Sequence, residues 1–109
     1  MKILKKQSYP SKGVYIRNIN YNATIEDIDI FLTRYITNYD NMLMLKDRAE
    51  NFIGRIVLIF DNEKQAMDAK MKLHNVKFLQ RKLKVNYAYP KYIPKNSDLS
   101  DMFYNILKL

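Results

Sequence analysis

A tyrosine and an arginine two positions apart, Tyr15 and Arg17, are the side chains in this sequence best suited to binding chemistry. They belong to Val14–Ile19, a short run rich in strand-forming residues, in which alternate side chains point to opposite faces. If Val14 and Ile16 point into a core, Tyr15 and Arg17 share the other face. A ring in that position can stack on a nucleic-acid base while the guanidinium binds a phosphate. The alternative is an ordinary strand with a half-buried tyrosine and a solvated arginine.

The composition offers little for catalysis. The 109 residues include no cysteine, a single histidine (His74) and two glycines. Without cysteine there is no disulfide and no thiolate metal site, which fits a reducing compartment. One histidine leaves a catalytic triad or a histidine metal cluster incomplete. Asp47 and Glu50 share a loop without metal-ligand spacing. We therefore predict no enzyme activity, no cofactor and no metal.

The sequence predicts no membrane association. No apolar run approaches the ~18 residues that a membrane-spanning helix needs. The segment Met1–Lys6 is too short and too charged for a signal peptide. We therefore expect an intracellular protein.

The positive charge of the chain is concentrated in two zones. The net charge is +8, and no acid precedes Glu26 or lies between Asp68 and Asp98. If the two zones lie together in the fold, they form a patch that attracts polyanions in a salt-dependent manner. Solvated lysines on a soluble protein are the alternative. The cations concerned are Lys2, Lys5, Lys6, Lys12, Arg17, Lys70, Lys72, Lys77, Arg81, Lys82, Lys84, Lys91 and Lys95.

Two amphipathic helices are predicted. Thr24 and Asp27 have the spacing of a capping box that begins the first helix. Apolar residues then recur at helical spacing and predict a core-facing stripe: Ile28, Phe31, Leu32, Tyr35 and Ile36. The second helix is predicted at about 62–74, capped by Asp61, with Ala66, Ala69 and Leu73 facing inward.

The helices alternate with four predicted strands, at 14–19, 42–45, 56–60 and 83–88. The resulting βαββαβ order predicts a ferredoxin-like α+β sandwich, a four-stranded antiparallel sheet of order 4-1-3-2 with both helices on one face. The first and fourth strands are neighbours in that order, so the two basic zones converge. Acylphosphatases share this plan, but they need a glycine-rich anion-binding loop near the first strand, and Gly13 and Gly54 are the only glycines.

The chain resembles the RNA recognition motif (RRM) family over residues 13–89. Val14–Ile19 matches the RNP2 hexamer of the family, with Tyr15 at its stacking position. Ile53–Phe60 aligns with the RNP1 octamer, and 83–88 is similar to the fourth strand of the family. The match of these segments in order and spacing is more specific than any one of them alone.

RNP1 departs from the family pattern at its two stacking positions. Arg55 and Val57 replace aromatic residues there, so one aromatic platform, Tyr15, remains. The resemblance therefore implies weak binding of single-stranded RNA. Asn86 can read a base edge or be an ordinary solvated strand residue. The predicted RNA-binding residues are Tyr15, Arg17, Arg55, Val57, Lys84 and Asn86.

A second binding surface is predicted where Val57 and Ile59 leave an apolar strip on the open sheet face. After a basic leader (1–12), the RRM domain and a linker (90–97), residues 98–108 have the pattern of an amphipathic helix. This helix covers either its own sheet, which we favour, or a groove on a partner protein. Its apolar residues are Leu99, Met102, Phe103, Ile106 and Leu107.

One RRM subgroup is most similar, the branch-site RRM subunit of the spliceosomal 3b splicing-factor complex. The resemblance rests on 15–18, Tyr21, Thr24, Glu26 and Tyr35. It implies a nuclear RNA-binding module within a ribonucleoprotein, in pre-mRNA splicing or other RNA processing. The alternative is a protein-interaction RRM whose sheet face or C-terminal helix binds a partner protein, with little independent RNA binding.

Overall fold

The structure is a computed structural model that describes residues 10–37 and 39–88. The predicted linker (90–97), the predicted C-terminal helix (98–108) and most of the predicted leader lie outside the described residues. The elements, in chain order, are β1 (Gly13–Arg17), α1 (Ile25–Leu32), β2 (Asn41–Lys46), β3 (Phe52–Ile59), α2 (Glu63–Leu73), β4 (Lys77–Phe78), β5 (Arg81–Lys82) and β6 (Lys84–Tyr87).

The predicted fold is confirmed. The main sheet is antiparallel in the order β2-β3-β1-β6, which is the predicted order with β6 as the fourth strand. One hydrophobic core joins the inner face of this sheet to buried residues of both helices, so α1 and α2 pack on the same side. The outer face of the sheet carries no helix within the described part of the chain.

The alternation of β1 and β3 decides which residues reach that outer face. Val14 and Ile16 are fully buried in the main core, as is Leu58 on β3. Strand side chains alternate between faces, so the neighbours of these residues point outward. Tyr15, Ile53, Val57 and Ile59 accordingly belong to a separate, smaller cluster.

The first helix begins at the predicted cap. The Thr24 hydroxyl accepts from the Asp27 backbone N–H, and an Asp27 carboxylate oxygen accepts from the Thr24 N–H. The predicted stripe faces the core, where Ile28, Phe31, Leu32 and Ile36 are buried and Tyr35 is half-buried.

The second helix is capped by Asn62, so the prediction of Asp61 was wrong by one residue. Asn62 Oδ1 accepts from the Gln65 N–H at 2.9 Å, which satisfies a donor of the first turn. Asp61 lies one position too early, and its own N–H donates to Gln65 Oε1. Two consecutive polar residues can each cap a helix, and the backbone path selects between them.

The β4–β5 hairpin was not predicted. Phe78 pairs with Arg81, so Leu79 and Gln80 are the two turn residues, with φ of 49° and 71°. Positive φ at both central positions is the geometry of a type I′ turn, for which Asn-Gly is the usual sequence. A Leu-Gln turn carries none of that signature, which explains the omission.

A glycine in β3 permits a bulge against β2. The register between the two strands shifts between Met44 and Lys46, and Gly54 opposite this shift has φ of +78°. A Cβ on Gly54 would lie 2.6 Å from the Ile19 carbonyl oxygen. The position therefore requires glycine both for its backbone conformation and for its close approach to the chain after β1.

We expect Gly54→Ala to lower the free energy of unfolding by about 2 kcal/mol or more, because a left-handed conformation is strained for alanine and the carbonyl of Ile19 is too close to avoid. Urea denaturation followed by circular dichroism measures this change. Lys46→Ala, an exposed position on the same hairpin, is the control and should change stability by less than about 0.5 kcal/mol. Equal stability of both variants would show that the bulge relaxes without cost.

A tyrosine links the first helix to the segment before β2. The Tyr39 hydroxyl donates to the Asp29 carboxylate. Partial burial, and then the hydrogen bond and negative charge of Asp29, raise the pKa of Tyr39 to about 12. The neutral phenol is therefore favoured in the folded state.

A group whose pKa is raised by folding stabilises the fold fully below its unfolded pKa and loses that contribution as the pH rises through the folded value. We therefore expect stability to fall between about pH 10 and pH 12 more steeply in the wild type than in Tyr39→Phe. Subtracting the two denaturation series removes the common titration of lysines. Parallel pH profiles for the two proteins would contradict a raised pKa at Tyr39.

Candidate nucleic-acid interface

One row of side chains crosses the outer face of the sheet. Tyr15 pairs with Val57 on β3 and with Asn86 on β6, and Val57 pairs with Leu43 on β2. Residues directly opposite in a sheet share a face, so these four side chains lie side by side. The prediction that Tyr15 lies on the open face and outside the main core is confirmed, and its packing against the small cluster leaves it half-exposed.

The Tyr15 ring is held in position by Arg55. Arg55 Nη1 donates to the Tyr15 hydroxyl at 2.9 Å, and the arginine is exposed. The guanidinium has five N–H donors, so most remain available for a ligand. The alternation of β3 predicts the face of Arg55 but not this contact, because it depends on how the two long side chains reach across adjacent strands.

Two cations stand opposite each other next to this row. Arg17 pairs with Lys84 in the β1–β6 register. Like charges in this relation destabilise a sheet. The side chain of Arg17 makes no hydrogen bond or ion pair with another residue of the described part, whereas Lys84 Nζ donates to Asn75 Oδ1 at 3.0 Å. The pair is therefore a positive site without a carboxylate partner among the described residues.

The β4–β5 hairpin extends the positive surface. Arg81 donates from both Nε and Nη2 to Asn18 Oδ1, at 3.1 and 2.9 Å, and Asn18 Nδ2 donates to the Lys82 carbonyl. These bonds fix the hairpin to the end of β1. The predicted convergence of the two basic zones is thus confirmed for Arg17, Arg81, Lys82 and Lys84. The sequence does not predict these hydrogen bonds of Asn18, because its left-handed backbone (φ 67°) and the hairpin that it contacts form only in the folded chain.

Asn86 offers a polar group beside the ring. Its side chain is half-exposed, and it makes no hydrogen bond with any other described residue. An amide in this state has both donor and acceptor capacity available for a base edge.

The predicted apolar strip is a small cluster in which Leu45, Val57 and Ala88 are buried. Val57 is only 4% exposed, so its neighbours leave it little surface for an external contact. Tyr15, Leu43, Ile53 and Ile59 pack around this cluster and keep part of their surface free. The residues of β2 that belong to this cluster are Leu43 and Leu45, because Met42 and Met44 pack against the main core. The predicted covering residues, from Leu99 to Leu107, lie outside the described residues.

The remaining polar candidates have structural partners. His74 Nδ1 accepts from the Val85 N–H at 3.0 Å and so ties the end of α2 to β6. Among the described residues, no group of three or more His, Cys, Asp or Glu side chains could hold a metal ion. Nor does that part of the chain contain a helix with the length and hydropathy of a membrane span.

The chain is similar to known proteins in sequence and in structure. No family model matches the chain. Protein MEI2-like 4 of Oryza sativa subsp. japonica is 29% identical over 91 residues, a match that covers 84% of this chain and 9% of that protein. The chain therefore spans less than a tenth of this relative.

Solved structures match over much more of their own length. The RRM of RNA15 has a TM-score of 0.65 at 26% identity and covers 84% of this chain and 99% of that chain. RNA Binding Protein PG1 has a TM-score of 0.61 at 28% identity, with 72% and 94% covered. The RRM3 domain of Hrb1, with a TM-score of 0.69 at 17% identity and 79% and 85% covered, is similar in fold. The sheet order, the helix layer and these likenesses together establish that the described residues form a domain with the RNA recognition motif fold.

Proposed function

We propose that this chain is a single-stranded RNA-binding module that acts within a ribonucleoprotein, in pre-mRNA splicing or another step of RNA processing. The observation that carries the proposal is the Tyr15 ring on the open sheet face, held by Arg55 and flanked by Arg17 and Lys84. A ring that stacks on a base, with cations that follow the backbone, is the general means by which proteins bind single strands.

The comparisons support the coarser part of this proposal. The similar structures include an RRM of RNA15 and a protein named as RNA-binding. The choice of splicing rests on the sequence resemblance to the branch-site subunit, and the proposed nuclear location follows from that choice. We expect no catalysis, because the site consists of stacking, cationic and amide groups.

The geometry suggests how the RNA is bound. One base stacks on Tyr15, and the amide of Asn86 lies beside it to contact the base edge. Arg17 and the free donors of Arg55 bind phosphates on either side of that base. With one aromatic platform instead of three, the affinity should be lower than for a typical RRM, since each stacked base contributes about 1–3 kcal/mol.

We expect Tyr15→Ala to weaken binding of a fluorescent single-stranded RNA by about 5- to 150-fold, the equivalent of one lost stacking interaction. Fluorescence anisotropy measures the affinity. Tyr15→Phe keeps the ring but removes the bond to Arg55, so its loss should be smaller. Unchanged affinity in Tyr15→Ala would mean that RNA does not use this face.

We expect Arg17→Ala and Lys84→Ala to weaken binding and to make its salt dependence shallower. Each lost phosphate contact should reduce the slope of log affinity against log salt by about 0.7–1, measured between ~50 and ~200 mM salt. Lys64→Ala is the matched control, because Lys64 is an exposed cation on α2, on the opposite side of the sheet. An equally large change of slope in Lys64→Ala would show that the overall positive charge attracts the RNA and that Arg17 and Lys84 make no specific phosphate contacts.

The alternative function is protein interaction through the sheet face or the C-terminal helix. It is favoured by the apolar cluster around Leu45 and Val57, whose outer members Leu43, Ile53 and Ile59 keep free surface. No detectable RNA binding by the wild type, together with tight binding to a protein that Ile59→Asp abolishes, would favour this function over the first.

A further inference from the structure

An acidic cleft lies at the β2 edge of the sheet, away from the cations Arg17 and Lys84 on β1 and β6. It has a volume of about 410 Å³ and lies between the start of α1 and the start of β2. Three carboxylates line it, and none of its lining residues in the described part of the chain is a lysine or an arginine, although the chain as a whole carries +8. The residues that line this acidic cleft include Ile25, Glu26, Asp29, Tyr39, Asp40 and Met42.

The negative charge of the cleft is only partly compensated. Asp29 accepts a hydrogen bond from Tyr39, a neutral group that leaves the charge in place. The pKa of Asp40 is raised above its ordinary value, first by a hydrogen bond with Asp61, then by desolvation and by the Asp61 charge, with Lys12 acting in the opposite direction. The hydrogen bond and the charge of Asp61 both favour the protonated form of Asp40, and a cation from outside would favour the ionised form.

The cleft adjoins an open edge of the sheet. β2 is an edge strand, and its outward backbone groups pair with no other described strand. Its sequence, Asn-Met-Leu-Met-Leu-Lys, has a single charge, at Lys46. Natural edge strands usually block such pairing with charges, prolines, bulges or very short length. The one charge of β2 and its register shift against β3 both lie at its far end, between Met44 and Lys46, and not beside the cleft. β6 at the other edge is shorter and begins with Lys84.

We propose that the acidic cleft and the β2 edge together bind an extended, arginine-bearing segment of a partner protein. A strand added to β2 satisfies the open backbone groups. Alternate side chains of that strand point to the helix side of the sheet, where Glu26, Asp29 and Asp40 can accept from guanidinium groups. Ile25, which is 46% exposed, offers apolar contact to the arginine stems.

This site is independent of the proposed RNA-binding face. Met42, which lines the cleft, packs against the main core on the helix side, whereas Tyr15 lies on the outer face. Carboxylates repel phosphate, so the charge complementarity selects a basic peptide and disfavours RNA as the occupant.

The test is a titration of the full ¹⁵N-labelled chain with the synthetic peptide acetyl-Arg-Val-Arg-Val-Arg-Val-amide, followed by amide shifts. We expect shifts concentrated at β2, Ile25, Glu26 and Tyr39. A peptide with glutamate in place of arginine should produce none of them. Glu26→Gln/Asp40→Asn should weaken binding about 10-fold, the effect of losing charge-assisted contacts.

The matched control is Glu50→Gln/Asp68→Asn, which changes net charge equally at exposed positions outside the cleft. The proposal is overturned by shifts that spread over the surface, by equal weakening in the control, or by the same amides responding to a single-stranded RNA. If the β2 amide shifts change with protein concentration in the absence of peptide, a second copy of the chain occupies the edge, and this result would also overturn the proposal. If the cleft variant fails to fold, the comparison of the two peptides on wild type decides.

Discussion

The alternation of one central strand is the constraint on which the rest of this structure depends. β1 lies between β3 and β6, and Val14 and Ile16 are fully buried against the helices. A shift of one residue would bury Tyr15 and Arg17 and expose those two aliphatic side chains, so the core fixes the register. The candidate binding face is therefore a consequence of packing, because burial of Val14 and Ile16 leaves Tyr15 and Arg17 on the outer face.

Arg55 changes the character of the surface that this register creates. At a position where the RRM pattern has an aromatic ring, the chain has a cation that donates to the one remaining ring. A guanidinium is planar and can stack on a base as well as bind phosphate. The substitution thus exchanges apolar stacking area for charge. On the proposed function, binding then depends more on salt and less on base stacking than in an RRM with three rings.

The sequence predicts the fold well where local and tertiary preferences agree. The Thr24–Asp27 capping box, the core-facing stripe of α1 and the faces of β3 follow from short-range spacing, and packing reinforces each of them. The prediction fails where the backbone path decides. The cap at Asn62 and the Leu79–Gln80 turn depend on conformations that neighbouring elements impose.

The candidate site shows the same division. Period-2 alternation identifies which residues share the outer face, because that depends on parity alone. It cannot give the Tyr15–Arg55 bond, the two bonds from Arg81 to Asn18 or the reach of Lys84 toward Asn75, since these depend on side-chain conformation and on the hairpin. The sequence thus predicts on which face of the sheet a long, flexible side chain lies, whereas its hydrogen-bond partners are seen only in the folded structure.

The separation of charge across the sheet is compatible with the two proposed ligands of this domain. The cationic pair Arg17 and Lys84 lies on β1 and β6, and the acidic cleft lies beside β2. Two to three strand spacings of about 4.8 Å place the cationic pair about 10 to 14 Å from the β2 edge. That distance exceeds the Debye length of about 8 Å at physiological salt, so the direct attraction between the two sites is largely screened. A polyanion on the outer face and a basic peptide at the β2 edge would each meet a complementary field, and each would be repelled by the other's site. On the two proposals, the charge pattern directs each ligand to its own site.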